Sequence, residues 1–131
     1  MKRKLFIFLI TLAIIITGCQ TQIAESTSTP AVDAVVTYLN ALVEKDEVAL
    51  TVLSCADWEA NALMELDAFQ SVETSLEGLR CQQNEGGDDS ARVTCQGKIV
   101  TSYSGEVQEY DLSWRTYNVM KLGRDWLVCG Y

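Results

Sequence analysis

Histidine is absent from the 131-residue chain. Its absence removes the commonest general base and the commonest transition-metal ligand together. Basic residues are scarce too, ten against eighteen acidic, for a formal charge of −8. A surface of that sign repels nucleic acid and anionic lipid headgroups. The cysteines, Cys19, Cys55, Cys81, Cys95 and Cys129, form no C-x-x-C pair, so neither a thiol redox motif nor the clustered ligands of a zinc site is in place. Proline occurs once, and the only long apolar run is Leu5–Ile16. No internal repeat is visible. With so few reactive groups, the expectation is a non-enzymatic protein that needs no metal and no cofactor.

The apolar run follows Lys2-Arg3-Lys4 and ends in Ile16-Thr17-Gly18-Cys19. A basic segment, about twelve apolar residues and a small-residue site make a secretory leader, whereas a membrane span needs roughly twenty. The last four residues resemble the bacterial lipobox. That resemblance implies lipidation of the Cys19 thiol, cleavage of residues 1–18 and an extracytoplasmic protein held at the cell membrane by acyl chains. Two or more chains anchor stably, since each buried CH₂ contributes about 0.8 kcal/mol. Cleavage removes three basic residues, leaving seven against eighteen acidic and a net charge of −11 over 113 residues, enough chain for one domain. The polar residues that follow Cys19, up to about residue 30, read as a spacer, and the domain proper as residues 31–131.

Thr29-Pro30 opens the first element, with Thr29 as N-cap, Pro30 at the first helical position and Asp33 in the first turn. Val32, Val35, Val36, Leu39, Leu42 and Val43 then recur at helical spacing, predicting a helix over 30–44. Asp46 caps a short second helix through Leu50–Leu53. Ser54 and Asp57 read as a capping pair for a third helix over about 56–69, carrying Trp58, Ala62, Leu66 and Phe69 on one face.

Beyond this the period falls to two. Leu79 and Cys81 alternate with polar residues, with Gly78 a candidate bulge. Asn84–Asp89 is a turn by composition. Ala91, Val93, Cys95 and Ile99 mark a second strand, and Ser104-Gly105 a turn. Tyr110, Leu112 and Trp114 mark a third strand continuing to about Met120, and Trp126–Tyr131 a last one. Helices followed by a meander predict an α+β domain, with N-terminal helices packed on a curved antiparallel sheet of about four strands.

Four cysteines remain once Cys19 is lipidated, and an oxidising compartment makes two disulfides the natural reading. A hairpin turning through Gly87-Asp88 sets Cys81 opposite Cys95, within the reach of a disulfide, and leaves Cys55 with Cys129. The pairing of Cys55 with Cys81 stays open as the rival. Asp111, flanked by Tyr110 and Leu112, points away from them and out of any interior. Glu85, Asp88 and Asp89 match no calcium-loop spacing and read as a solvated acidic turn.

Val35-Val36-Thr37-Tyr38-Leu39-Asn40-Ala41-Leu42 with Lys45-Asp46, and Arg124-Asp125-Trp126-Leu127-Val128-Cys129 at the other end, resemble the first helix and last strand of the NTF2-like superfamily, the cystatin-like α+β cone. The similarity spans about residues 31–131. It implies that fold and a pocket between sheet and helices, which Tyr38, Trp58, Trp114 and Tyr117 would line. The catalytic members use an Asp or a His–Asp pair with Tyr inside the cone, and no position here matches them. The expected function is therefore a membrane-anchored binding module for another envelope protein or a small apolar ligand. A small enzyme of the isomerase or dehydratase kind, or a domain acting only through its surface, are the alternatives.

Overall fold

The computed structural model describes residues 28–131. The leader, Cys19 and the spacer up to Thr27 lie outside the described residues. Three helices come first, α1 (Pro30–Glu44), α2 (Glu47–Val52) and α3 (Ala56–Phe69), then five strands, β1 (Glu73–Gly86), β2 (Ser90–Tyr103), β3 (Glu106–Asp111), β4 (Thr116–Leu122) and β5 (Asp125–Val128). Thr29 Oγ1 accepts from the Val32 amide at the start of α1, and Lys45 closes it in the left-handed conformation. Asp46 Oδ1 accepts from the Ala49 amide and starts α2. Val32, Val35, Leu39 and Leu42 are buried with Tyr38 and form the helical side of the core.

The cap of α3 differs from expectation. Cys55, not Ser54, is its N-cap, and no side chain bonds the first turn. Ser54 is buried and its hydroxyl donates to the Leu50 carbonyl. The backbone here pairs with β5, through Cys55 N–H to Val128 O and Val128 N–H to Leu53 O, both 2.8 Å. That bridge holds Ser54 in place and withdraws its side chain from capping duty.

The sheet is antiparallel, ordered β1-β2-β4-β5, with β3 on the same side of β2 as β4. There are five strands rather than about four because the expected third strand is interrupted. β3 covers β2 from Lys98 to Tyr103 and β4 covers it from Ser90 to Thr94. Between them Leu112–Arg115 close a turn through Arg115 N–H to Leu112 O, 3.1 Å. Four residues there span what three residues span on β2, so the alternation slips. Leu112 turns fully inward while Trp114 is thrown into solvent, 88% exposed. The expected alternation of Tyr110, Leu112 and Trp114 fails at this point.

On the opposite flank of β2 the register shifts between Glu77 and Arg80, at Gly78, which has a φ of +64°. The two irregularities meet at Gly97 and bend the sheet across one line. Gly97 has a φ of +105°, and a Cβ there would lie 2.6 Å from the Glu77 carbonyl oxygen. Gly97→Ala is therefore expected to cost about 2 kcal/mol or more. Gly87→Ala, where a Cβ meets nothing within 4 Å, should leave the urea midpoint almost unchanged.

Cys81 faces Cys95 in the β1–β2 register. The sulfurs of Cys81 and Cys95, and those of Cys55 and Cys129, sit at disulfide distance. The first pair is the one favoured by register, and the second, the pair it leaves, ties the helical layer to the end of the sheet. Trp126 is half-buried against the core.

Candidate functional site

The interior of the cone is lined from three directions. α1 contributes Tyr38, α3 contributes Trp58 and Glu65, the last residue of the turn before β4 is Arg115, and β4 contributes Tyr117, with Tyr131 closing the group from the end of the chain. Glu65 sits on the face of α3 that carries Ala62, Leu66 and Phe69, one turn from each end of that stripe. Arg115, directly ahead of β4, is in phase with the inward Tyr117 and Val119 of that strand. Two side chains of opposite charge are thus aimed at the same interior.

They meet there. Arg115 Nη1 lies 2.6 Å from Glu65 Oε1, with the side chains 20% and 12% exposed. The Arg115 guanidinium also covers the Tyr131 ring at 4.2 Å. Tyr131 packs edge-on against Trp58 at 5.1 Å and Tyr117 at 5.4 Å, and Tyr38 meets Tyr117 at 6.5 Å. Trp58 Nε1 donates to the Tyr38 hydroxyl at 3.1 Å. Two buried polar atoms of the group, Glu65 Oε2 and the Tyr117 hydroxyl, have no hydrogen-bond partner among the described residues.

Burial sets the protonation states. It pushes the Tyr38 hydroxyl well above the ordinary tyrosine range, despite the bond from Trp58. It pushes Tyr117 up to about 12, against the opposing pull of Arg115. It does the same for Tyr131, to about 12, with Glu65 adding to the effect. For Arg115 burial alone would weaken the charge, and Glu65 with its neighbouring tyrosines more than offsets it. At neutral pH the interior therefore holds neutral phenols around a charged guanidinium, in direct contact with the Glu65 carboxylate.

Of the four side chains expected to line a pocket, Tyr38, Trp58 and Tyr117 come together and Trp114 does not, because the turn at Leu112–Arg115 carries it outside. Glu65, Arg115 and Tyr131 complete the group and were not among the sequence candidates. The available signal was a carboxylate on the apolar stripe of α3 and a guanidinium in phase with Tyr117 and Val119. Tyr38 is in direct contact with both Trp58 and Tyr117, and Tyr131, 43% exposed, packs on Trp58 and Tyr117 from the solvent side.

Two recesses lie outside this interior. An open groove of about 640 Å³ follows the bend of the sheet, lined by Glu77, Gly97, Lys98, Glu109 and Asp111. Lys98 reaches Glu109 at 2.5 Å and Glu77 at 3.5 Å, and hydrogen bonding to Glu109 raises its pKa. Asp111 is exposed on this outer face, as its alternation implied. Its carboxylate accepts from Ser113 and is held below the usual carboxylate range. The second recess, about 310 Å³, lies between the end of α3 and β3, lined by Phe69, Val72, Thr101, Tyr103, Gln108 and Tyr110.

No protein-family model matches the chain, and no curated protein matches it. Solved structures do. A candidate ketosteroid isomerase from Shewanella frigidimarina is 14% identical with a TM-score of 0.56, over 77% of this chain and 91% of that one. Aln2 from a Streptomyces species is 10% identical with a TM-score of 0.52, over 73% and 80%. A variant of the Rd1NTF2 series is 16% identical with a TM-score of 0.51, over 73% and 89%. At these identities the likeness is one of fold, and with the helices laid on a curled antiparallel sheet it gives this chain the NTF2-like α+β cone.

Proposed function

We propose that this protein is an extracytoplasmic lipoprotein, held on the membrane through Cys19, whose NTF2-like domain is a non-enzymatic module that binds another envelope protein. The observation that carries the binding reading is the packing of the cone's aromatic and charged side chains on one another. Tyr38 packs on both Trp58 and Tyr117, Tyr131 packs on the outer side of the last two, and Glu65 pairs with Arg115, while the groove along the sheet and the recess beside α3 lie outside this group; this supports recognition by the outer surfaces. The anchor rests on the lipobox-like Ile16-Thr17-Gly18-Cys19. Fatty acid fed to cells is expected to label the wild type and not Cys19→Ala; equal labelling of both refutes the anchor. Native mass spectrometry of the oxidised protein is expected to show no retained small molecule. A mass excess lost on denaturation would move the binding role from the surface to the cone.

Glu65 supports a second reading, a small enzyme of the isomerase or dehydratase kind, because it is an inward carboxylate with one oxygen unpaired. Such an enzyme needs a carboxyl poised to exchange protons near neutrality. In this structure the other oxygen of Glu65 is instead committed to an ion pair with Arg115 at 2.6 Å. Carbon-detected NMR titration of Glu65 separates the two: a midpoint near neutral pH favours the enzyme, and a normal or low midpoint the binding module.

A further inference from the structure

We infer that the open edge of β3 is a docking site for an extended strand of a partner protein, with basic side chains on one face and apolar side chains on the other. The inference rests on the binding-module reading and names the surface it uses. Among the described residues β3 pairs only with β2, so one side of its backbone has no strand beside it. Leu112 N–H donates to Gly97 O at 3.0 Å. In an antiparallel ladder that bond places Tyr110, Gln108 and Glu106 in the positions bonded to β2, and turns the N–H and C=O groups of Val107, Glu109 and Asp111 to the open edge. A strand added there gains main-chain hydrogen bonds, with specificity from the side chains on either face.

The two faces differ in chemistry. On the outer face the added strand would run beside Val107, Glu109 and Asp111, where the carboxylates outnumber Lys98, the nearest cation on that face of β2. On the inner face it would run beside Glu106, Gln108 and Tyr110, over the recess lined by Phe69, Val72 and Tyr103. Tyr103 and Val107 are 63% and 61% exposed, apolar surface within reach of the incoming chain. A second copy of this chain suits the edge poorly, since pairing β3 with β3 would bring Glu106, Glu109 and Asp111 against their own like charges. The other long edge, β1, is interrupted by its bulge at Gly78, a feature that blunts edge pairing.

The position of the edge fits an anchored protein. The chain enters the domain at Thr29, whose hydroxyl donates to Gln83 near the far end of β1. The fifteen residues of α1 carry it about 22 Å to Lys45, which donates to Val72 O and lines one recess with Tyr103, Ser104 and Gly105. The β2–β3 turn therefore lies at the end of the domain away from the tether.

The test uses the full-length lipidated protein in nanodiscs of neutral lipid and a dye-labelled peptide of about nine residues alternating Lys and Val. Anisotropy is expected to show saturable binding, and hydrogen exchange to slow at Val107, Glu109 and Asp111. A peptide of the same composition with its Lys and Val in separate blocks should bind at least about tenfold more weakly. Val107→Pro removes one outward N–H from an edge strand, where proline is tolerated, and should weaken binding about tenfold. Should that variant misfold, the pair Glu109→Lys with Asp111→Lys reads the same surface: it should reject the Lys–Val peptide and accept a Glu–Val one. Binding that ignores these changes, a block peptide that binds equally, no binding at all, or a dimer of this chain held through β3 overturns the inference. Fatty-acid labelling reads the anchor independently, so a failed peptide with intact labelling removes the edge assignment alone.

Discussion

Arg115→Met is expected to destabilise the domain by about 3 kcal/mol, which for a domain of this size lowers the melting temperature by roughly 15 °C. The two ends of the Glu65–Arg115 pair are nearly out of water, at 12% and 20% exposure. Their attraction has to cover the cost of removing both charges from solvent, and the net worth of the intact pair is small. Losing one partner is a different matter, because the carboxylate that remains is buried without its cation. The methionine keeps most of the volume and the contact with Tyr131, but the guanidinium that covers the ring is gone. The double variant Glu65→Leu with Arg115→Met removes both charges and should recover most of the lost stability. Melting of the three proteins by circular dichroism reads this directly. A double variant as unstable as the single one would mean that Arg115 acts through packing and that the charge of Glu65 is already satisfied elsewhere.

Removing the Cys55–Cys129 bond with paired alanines is expected to cost about 4 kcal/mol, and removing Cys81–Cys95 about 3 kcal/mol. The order follows from loop length. The first bond closes a sequence separation of 74 and the second one of 14, and the longer closure removes more freedom from the unfolded chain. Urea denaturation of the two double variants under identical conditions gives both numbers. A larger loss at Cys81 and Cys95 would show that packing around the buried Cys95 outweighs chain entropy.

The first two helices were legible because each carries its own punctuation, whereas α3 showed through the period of its apolar face alone. Thr29, Pro30 and Asp46 act within a few residues of where they stand, and the period of Val32, Val35, Leu39 and Leu42 needs no knowledge of the sheet. The Cys81–Cys95 register was legible for a similar reason, since a short hairpin fixes which residues face each other. Trp114 was not, because its direction depends on the extra residue of a turn whose cause lies in the neighbouring strand, at Gly97. The ion pair was hidden by distance: Glu65 and Arg115 are fifty residues apart, and each alone reads as an ordinary surface charge. Only the phase of Glu65 with Ala62 and Phe69, and of Arg115 with Tyr117, marked them as inward. Tyr131 left no such mark, because its place depends on how the chain runs on past β5.

The Cys55–Cys129 bond makes the chain between those residues a closed ring, with the Cys81–Cys95 hairpin as a smaller ring inside it. A protease that cuts once in the turn at Gly87–Asp89 or at Ser104-Gly105 releases nothing, because both new ends stay joined through sulfur. The nicked chain runs as one band until it is reduced. Two cuts are needed to free a piece, and one near Gly105 with one near Gly123 frees β3 with β4, neither of which contains a cysteine.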